Sequence, residues 1–569
     1  MLWKFRSDST PPLPEELQEW AESLEISPLL GRLLWQRGQR DATAMRDFLN
    51  PSLRNLAPLE DWPGLSAAAE ILVGGLLQGK KLCVWGDYDV DGITSTALVL
   101  EFLSRYGFAA ESHIPDRLTE GYGLNMPGIS RLAGEGVGLL LTVDCGISDM
   151  EAVARARELG MTVIISDHHL PGERLPPADA IVNPRLGNCP CESLAGVGVV
   201  FLLMAAVNAV FARQGKPRAD MRDFLDLVAL GTLADVVDLN GQNRILVKNG
   251  LLKIAEAGRV GVAALKSACN FSPTAALGAG QVVFTLAPRI NAAGRLGSSR
   301  TALALLLTTD RREAAALAAE LSRLNAERRD EEERILAEAE AQAVMQAEAG
   351  RMGLVLYSRD WHPGVIGIVA SRVVEMLHRP CVVLSSVDMS LKGSGRSVPG
   401  FDLHEAFTAC ADVLIGFGGH KMAAGLSLFP EQLEIFRDRF DALAASALGS
   451  EPAQAECVID AELSFPEADF YLLKELEILQ PFGMGNAEPV FVSPPVRVKA
   501  MRGRPGFMLL ELEDEASGLC LMAKAWRHLA DMPLTLAGRR IRVAYTPRID
   551  RYNGAATIEL RLKDWKEDA

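Results

Sequence analysis

Residues 84–96, VWGDYDVDGITST, decide the fold of the first half of the chain. The apolar run 81–85 is short enough to be a buried strand of a parallel sheet, and a helical pattern follows the stretch directly. Between the two stand three aspartates at alternate positions: Asp87, Asp89 and Asp91. The pattern predicts three carboxylates on the loop at the carboxyl end of a strand, where open α/β sheets bind their ligands.

A second stretch, residues 163–170 with the sequence VIISDHHL, repeats this design. Its strand delivers Asp167, His168 and His169 to the loop that follows. Carboxylates and imidazoles gathered in this way cannot be buried without partners, because like charges a few ångströms apart repel strongly. A divalent cation is the simplest partner, and mixed Asp and His ligation suits Mn²⁺ as well as Mg²⁺.

Each stretch also has a simpler interpretation. The DxDxDG pattern is shared with EF-hand calcium loops, but the strand before it and the missing Glu at the last loop position argue against that. The DHH stretch on its own is compatible with a helix N-cap and a hydrogen-bonded histidine pair. Because both stretches follow strands in one chain, we favour a metal site.

The length and composition indicate a protein of several domains. A chain of 569 residues exceeds the roughly 250–300 residues of a single core. The net charge of −15 argues against a uniformly basic surface, but clustered arginines still predict a basic path across an acidic body. The nine cysteines are scattered, and no apolar run approaches the roughly 20 residues of a membrane span. We therefore expect a cytoplasmic protein with reduced thiols and no membrane contact.

The motif GDYDVDG followed by SDHH resembles the DHH phosphoesterase superfamily. From about residue 71 onward the chain is similar to the RecJ branch, the single-strand-specific 5′ exonucleases. Alternating strand and helix patterns predict a doubly wound parallel sheet, which the resemblance identifies as a DHH catalytic domain at residues 71–309. Helical patterns punctuated by prolines predict that residues 1–70 form a small N-terminal helical cap on this domain.

Three further segments follow. Residues 310–350 predict a connector helix with Asp310 as its cap, although a break near Asn325 is the alternative. A second α/β pattern at residues 351–450 resembles the DHHA1 domain. Short strands in residues 456–569 predict a small antiparallel β-barrel, an OB-fold of the kind that binds single-stranded nucleic acid.

Further aspartates extend the predicted metal site. Asp144 also follows a strand and is a ligand candidate, although it could instead cap a helix that starts at Asp149. The resemblance implies that Asp144 is a ligand and that Asp235, within an apolar helix, completes the set, with Asp238 as a weaker candidate. It implies two Mn²⁺ or Mg²⁺ ions held by Asp87, Asp89, Asp91, Asp144, His168 and Asp235. We expect the catalytic residues to be Asp89, Asp91, Asp144, His168, His169 and Asp235, with His169 supporting the ligands or the scissile phosphate.

Arginines and glycines are the candidates for phosphate binding. Arg117 lies in a glycine-containing loop, where it could bind a phosphate through two hydrogen bonds. Residues 284–300 read as a small-residue loop carrying Asn291 and Arg295, for which an interdomain salt bridge is the other interpretation. The second α/β segment adds candidates that, by the resemblance, face the DHH domain across a cleft: Ser394, Gly395, Arg396, Gly418, Gly419 and His420.

The predicted barrel carries a basic patch that we expect to bind nucleic acid. Its cations are Arg497, Lys499, Arg502 and Arg504. Phe507, Trp526 and Tyr545 offer surfaces on which bases could stack, although each of them is individually more typical of a core.

The resemblance implies a 5′ to 3′ exonuclease that degrades single-stranded DNA to mononucleotides by two-metal hydrolysis, in DNA recombination and repair. It also suggests a single-strand-binding protein and a RecQ-type helicase as partners, and one cleft per chain suggests a monomer. A DHH enzyme acting on a small nucleotide is the first alternative, but the barrel favours a polymer. A non-catalytic binding protein is the second, and the filled acidic motifs argue against it.

Overall fold

The computed structural model describes residues 1–449, 455–504, 506–526, 529, 532–550 and 556–568. These ranges form two α/β domains joined by one long helix, followed by a β-barrel. The N-terminal segment contributes the first strand and three helices: β1 (Leu2–Phe5), α1 (Leu17–Ser23), α2 (Pro28–Gln36) and α3 (Ala42–Leu49).

The first α/β domain is built on a five-stranded parallel sheet, as the sequence predicts, in the order β3-β2-β4-β5-β6. Its strands are β2 (Lys81–Gly86), β3 (Ala110–His113), β4 (Val137–Val143), β5 (Thr162–Ser166) and β6 (Ala180–Val182). Its helices are α4 (Leu65–Leu77), α5 (Val90–Arg105), α6 (Met126–Gly134), α7 (Met150–Glu158), α8 (Gly196–Arg213), α9 (Leu225–Ala234), α10 (Gly241–Glu256), α11 (Val260–Ala268), α12 (Ala279–Gln281), α13 (Ala287–Leu296) and α14 (Ser299–Leu307).

Helices cover both faces of this sheet. Side chains of successive strand residues point to opposite faces. Leu82 and Val84 of β2 therefore join the core formed with α4, α5, α8 and α9. Cys83 and Trp85 join the smaller core formed with α6 and α7. Both faces being buried explains why the strands are continuous apolar runs.

Helix α8, with 18 residues, is long and apolar enough to cross a membrane by length and composition, contrary to the expectation that no apolar run approaches a membrane span. In this fold 78% of it is buried, where it packs against α4, α5 and α9. It is therefore a core helix of the first α/β domain.

A single helix, α15 (Arg311–Glu348), connects the two α/β domains. The Asp310 carboxylate caps it by accepting hydrogen bonds from the amides of Arg312 and Glu313, at 2.6 and 3.2 Å. The helix continues through Asn325 without a break, so the prediction of one connector helix is confirmed. At 1.5 Å per residue, its 38 residues span about 57 Å.

The second α/β domain contains a mixed sheet in the order β10-β11-β9-β8-β7. Strand β10 lies at the edge, so one side of its backbone is free to face a cleft. The elements are β7 (Leu354–Ser358), α16 (Ile366–Leu377), β8 (Cys381–Val387), β9 (Ser390–Arg396), α17 (Leu403–Ala409), β10 (Gly416–Gly419), β11 (Ala423–Leu428) and α18 (Leu433–Leu448).

The last part of the chain closes into a barrel. The order β18-β15-β16-β17-β19 forms a ring because β18 also pairs with β19, which agrees with the predicted OB-fold barrel. The barrel is not wholly antiparallel as predicted, because β17 and β19 pair in parallel. The elements are β12 (Glu456–Ile459), β13 (Ala461–Glu462), α19 (Phe470–Ile478), β14 (Phe491–Val492), β15 (Val496–Arg504), β16 (Phe507–Glu513), β17 (Cys520–Trp526), β18 (Arg540–Asp550) and β19 (Thr557–Glu567).

The prediction that residues 1–70 cap the first domain is wrong for most of that segment. Helices α1–α3 share a hydrophobic cluster with the barrel, in which Leu33 and Phe48 join Leu473. Strand β1 pairs in parallel with β12. Residues from Leu53 to Trp62 do pack on the first domain. The helical periodicity predicts an apolar face, but only tertiary packing decides which domain that face meets.

Candidate active site

The ends of three parallel strands bring the predicted acidic residues together. In the sheet register Gly86 of β2 lies beside Val143 of β4, and Val143 lies beside Ser166 of β5. The next residue of each strand therefore leaves the sheet at the same edge. These residues are Asp87, Asp144 and Asp167.

Glycines let the surrounding backbone approach these carboxylates closely. A Cβ at Gly92 would lie 2.5 Å from the carbonyl oxygen of Asp87, which explains the glycine of the DxDxDG stretch. A Cβ at Gly196 would lie 2.6 Å from Asp144 Oδ1. The site is therefore packed tightly around its acidic groups.

The six predicted metal ligands lie together. Their ligand atoms, with those of His169, fall into three groups in which all atoms lie within 4.8 Å of one another. The groups are Asp87, Asp89 and Asp144; Asp91, His168 and Asp235; and Asp144, His168 and His169. Asp238 is exposed and belongs to none of these groups.

Backbone amides fix two of the aspartates. The Asp91 carboxylate accepts hydrogen bonds from the amides of Gly196 and Val197 at the start of α8, each at 2.8 Å. Asp89 caps α5 by accepting from the amide of Gly92 at 3.0 Å. Negatively charged groups are stabilised at helix N-termini in this way.

Asp235 lies differently from the prediction. It was expected inside an apolar helix, but it ends α9 in an extended conformation, and 24% of its side chain is exposed. The helix ends there because the chain turns into the loop 235–240 that leads to α10. The carboxylate can therefore reach the site from the end of the helix without being buried within it.

The charges of the clustered aspartates are destabilised by burial and by mutual repulsion. Burial, followed by repulsion from neighbouring aspartates, raises the pKa of Asp87, Asp91 and Asp144 well above the usual range. Burial also lowers the pKa of His168, against the attraction of Asp235. Three carboxylate oxygens are buried without a hydrogen-bond donor among the described residues: Asp87 Oδ1, Asp144 Oδ1 and Asp235 Oδ2.

This donor set fits divalent cations. His168 Nε2 lies 3.1 Å from Asp144 Oδ1 and 3.6 Å from Asp235 Oδ2, outside hydrogen-bond geometry but suited to a shared ligand sphere. Hard carboxylate oxygens with one neutral imidazole suit Mn²⁺ and Mg²⁺. A bound cation would satisfy the lone pairs of the carboxylate oxygens that have no hydrogen-bond donor among the described residues.

Asp167 organises the histidine pair, a role that the sequence did not assign although the motif contains it. Its Oδ1 accepts from the amides of His168 and His169 and lies 2.8 Å from His169 Nδ1, while its Oδ2 accepts from the amide of Ile147. Burial opposes the charge of His169, but Asp167 outweighs burial and raises the pKa of His169 to about 9. The Asp167 carboxylate therefore favours the protonated form of His169.

A cavity of about 770 Å³ lies next to the acidic cluster, between Asp167 and His169 on one side and the second α/β domain on the other. His169 and His420 face each other across it, with nearly parallel rings 6.3 Å apart. Predicted phosphate-binding residues that line it are Arg117, Ser394, Arg396, Gly418, Gly419 and His420, together with Tyr88 and Tyr122, which were not predicted. Gly395 does not line it, because a Cβ there would contact the core residues Phe407 and Leu403.

Arg295 lies on a helix and not on the predicted loop. Residues 287–296 form α13, and Gly294 is required there because a Cβ would lie 2.9 Å from the carbonyl oxygen of Tyr88. Arg295 donates a hydrogen bond to the carbonyl of Gly364 in the second domain at 2.8 Å. The contact between the domains is thus a hydrogen bond and not the alternative salt bridge. Asn291 lies one turn earlier on α13.

Four arginines accumulate near the cavity. Burial, followed by repulsion from Arg117, Arg328 and Arg396, lowers the pKa of Arg295 to about 9. Arg396 donates to Ser394 Oγ at 3.0 Å, which orients its guanidinium. Guanidinium groups bind phosphate oxygens through paired hydrogen bonds, so this cluster is suited to a phosphate. Arg328 comes from the connector helix and was not predicted.

The barrel carries a row of two aromatic rings with a cation at each end. Arg504 lies over Phe507, the Phe507 ring lies 5.7 Å from Trp526, and Arg561 lies over Trp526. Arg561 also lines a cavity of about 750 Å³ beside Phe284, whose side chain is 82% exposed. Such a row is suited to stacking bases beside phosphates.

The predicted barrel residues are only partly in this row. Lys499 forms an ion pair with Glu513 at 3.3 Å, and Tyr545 is fully buried in the core. Arg497 and Arg502 are exposed on β15. Arg561 and Phe284 were missed because the sequence does not show which strands face the first domain.

Comparison with known proteins gives consistent matches along the chain. Residues 81–232 match the DHH family N-terminal domain, residues 350–446 the DHHA1 domain and residues 459–564 the RecJ OB domain. The chain is 40% identical over 495 residues to the single-stranded-DNA-specific exonuclease RecJ of Salmonella typhimurium, covering 84% of this chain and 85% of that protein. It is 38% identical over 546 residues to the Thermus thermophilus enzyme of the same name, covering 93% and 77%.

The solved structures agree. The crystal structure of RecJ from Thermus thermophilus in complex with Mn²⁺ matches with a TM-score of 0.85 and 34% identity, over 100% of this chain and 80% of that one. The corresponding Mg²⁺ complex matches with a TM-score of 0.78 and 32% identity, over 100% and 79%.

Proposed function

Because the chain belongs to the RecJ family of single-stranded-DNA-specific exonucleases, we propose that it degrades single-stranded DNA from the 5′ end to mononucleotides, in recombination and repair. The reaction is phosphodiester hydrolysis with two divalent cations, Mn²⁺ or Mg²⁺, as cofactors. One observation carries the proposal. An acidic cluster whose buried oxygens lack donors among the described residues lies next to His169, and His169 lines a cleft together with Arg117 and Arg396, which interact with Arg295.

The ligands for the two cations are Asp87, Asp89, Asp91, Asp144, His168 and Asp235. When bound, the cations supply an activated water and neutralise charge at the scissile phosphate. The protein contributes fixed geometry: the amides at the start of α8 hold Asp91, and Asp167 holds the histidine pair.

His169 and His420 contribute hydrogen bonds to the reacting phosphate. His169 Nδ1 lies 2.8 Å from Asp167 Oδ1, which favours the protonated imidazole, so Nε2 can donate to a phosphate oxygen or to the leaving oxygen. His420 faces it across the cavity, at the end of the edge strand β10. Together they bracket the position where the strand passes the acidic cluster.

The arginine cluster explains why hydrolysis would begin at the 5′ end of the strand. Arg117, Arg396 and Ser394 line the cleft, and Arg295 adds charge from the connection between the domains. A 5′-terminal phosphate is a dianion that this cluster can bind, leaving the first phosphodiester beside the aspartates. The barrel row that includes Arg504 and Trp526 then holds the strand further along.

We also propose that the enzyme acts as a monomer in the cytoplasm. All nine cysteines are free, which agrees with a reducing compartment. A RecQ-type helicase would supply single strands, and a single-strand-binding protein would keep them accessible.

An end-labelled assay tests the proposal. A strand labelled at either end is offered single-stranded and as a blunt duplex, with Mn²⁺, Mg²⁺ or a chelator. We expect 5′ mononucleotides from the single strand alone and no product with the chelator. Turnover restricted to cyclic dinucleotides or short oligonucleotides would place the chain among other DHH enzymes, and binding without cleavage would refute an enzyme.

A further inference from the structure

Asn243 is a fully buried polar residue at the start of α10, outside the predicted site. Its Nδ2 donates to the carbonyls of Ser193 and Asp238, at 2.6 and 3.0 Å, and its Oδ1 accepts from the amide of Ala195 at 3.3 Å. A buried amide is costly unless all of these bonds are made, so the side chain links the two segments firmly.

Both linked segments carry part of the acidic cluster. Ser193 and Ala195 lie directly before the amides of Gly196 and Val197, which hold the Asp91 carboxylate. Asp238 lies in the loop 235–240, which begins with Asp235. One side chain therefore connects the segment that fixes one predicted ligand to the loop that presents another.

Besides Asn243, core packing and hydrogen bonds on its far side hold the loop 235–240. Val237 and Leu239 point into the core, whereas Val236 is 77% exposed. On its far side, the amide of Leu239 donates to the carbonyl of Met484 at 2.9 Å, and Asn240 donates to the carbonyl of Gly485 at 3.1 Å. The loop is thus held between Asn243 and a turn that leads into the barrel.

We propose that Asn243 is a positioning residue that holds the Asp235 loop against the amides that bind Asp91, so that these carboxylates keep the spacing that a divalent cation requires. The proposal rests on the proposed function, because it assigns Asp91 and Asp235 to one cation. Residues that orient metal ligands typically change metal affinity or activity about 10–100-fold when they are replaced.

Asn208 provides a matched control. It is also a buried asparagine with three hydrogen bonds, to the Tyr106 hydroxyl and to the amide and carbonyl of Ala219. These bonds fasten a peripheral loop and touch no predicted ligand. Asn208→Ala should therefore lose similar stability without a change in metal affinity.

The test measures Mn²⁺ binding to the full chain in the absence of DNA. The electron paramagnetic resonance signal of free Mn²⁺ gives the bound fraction, and thermal unfolding of each variant is measured in parallel. We expect Asn243→Ala to bind Mn²⁺ about 10-fold more weakly than wild type, and Asn208→Ala to bind as wild type does. Equal Mn²⁺ affinity in wild type and Asn243→Ala would overturn the inference and leave the proposed function intact. A wild-type chain that binds no Mn²⁺ would instead refute the proposed function.

A second pair decides the case if Asn243→Ala does not fold. Gly485 is exposed with φ +70, and a Cβ there would lie 2.7 Å from Asn240 Nδ2 and 2.9 Å from Asp238 Oδ1. Gly518 is exposed with φ +74 and has nothing within 4 Å of a Cβ. Gly485→Ala should weaken Mn²⁺ binding several-fold and Gly518→Ala should not. Equal binding by both variants would overturn the inference.

Discussion

Two sets of buried acidic groups in the first α/β domain differ in whether the fold provides a partner for their charge. At the carboxyl ends of the strands, Asp87 and Asp144 have buried oxygens without donors among the described residues. On the other side of the domain, Asp226 accepts from Arg259 Nε at 2.7 Å and Nη2 at 3.2 Å. Arg259 also pairs with Glu101.

The difference separates a functional site from a structural one. A buried carboxylate with a guanidinium partner is neutralised within the fold. A buried carboxylate beside other carboxylates raises the energy of the folded chain until a cation arrives. Without a cation, removing one charge should therefore stabilise the strand-end cluster and destabilise the pair of Asp226 and Arg259.

The largest expected effect is on activity. Asp144→Asn keeps the side-chain shape and suits the positive φ of 63° at this position, but it removes a ligand charge. We expect the rate of single-strand degradation to fall on the order of 10³-fold, equivalent to about 4 kcal/mol of barrier. Initial rates at saturating Mn²⁺ measure this, and a loss of less than tenfold would remove Asp144 from the ligand set.

The next effect is on stability. Arg259→Ala leaves Asp226 buried without its cation, and side chains of this pair are only 9% and 5% exposed. We expect the free energy of unfolding to fall by about 3 kcal/mol, with the rate per folded molecule unchanged. Denaturant unfolding measures the loss.

The exposed pair Arg222 and Asp220 is the control for that measurement. Arg222→Ala should leave stability within experimental error, because exposed ion pairs contribute little. Similar losses in both variants would mean that burial is not the reason for the contribution of Arg259.

The strand-end residues were predictable from sequence for a physical reason. Buried parallel strands are short apolar runs, and the residue after each run must lie at one edge of the sheet. Asp87, Asp144 and Asp167 follow such runs directly, and His168 comes next after Asp167. Each is therefore positioned by local sequence plus one topological rule.

Other features depend on contacts between distant segments. The amides of Gly196 and Val197 meet Asp91 only because α8 packs on α5, more than 100 residues away in sequence. Arg328 comes near Arg295 because α15 packs beside α13. Periodicity predicts helices but not their neighbours, so these residues were missed, and the partner of residues 1–50 was assigned wrongly.

The most direct test of the central claim compares the same substitution in both places. Metal-free wild type, Asp144→Asn and Asp226→Asn are unfolded by heat at neutral pH in the presence of a chelator. We expect Asp144→Asn to raise the melting temperature, because it removes one of several repelling charges, and Asp226→Asn to lower it. A melting temperature lowered by both substitutions would contradict the claim that the strand-end carboxylates are held for a cation at the expense of stability.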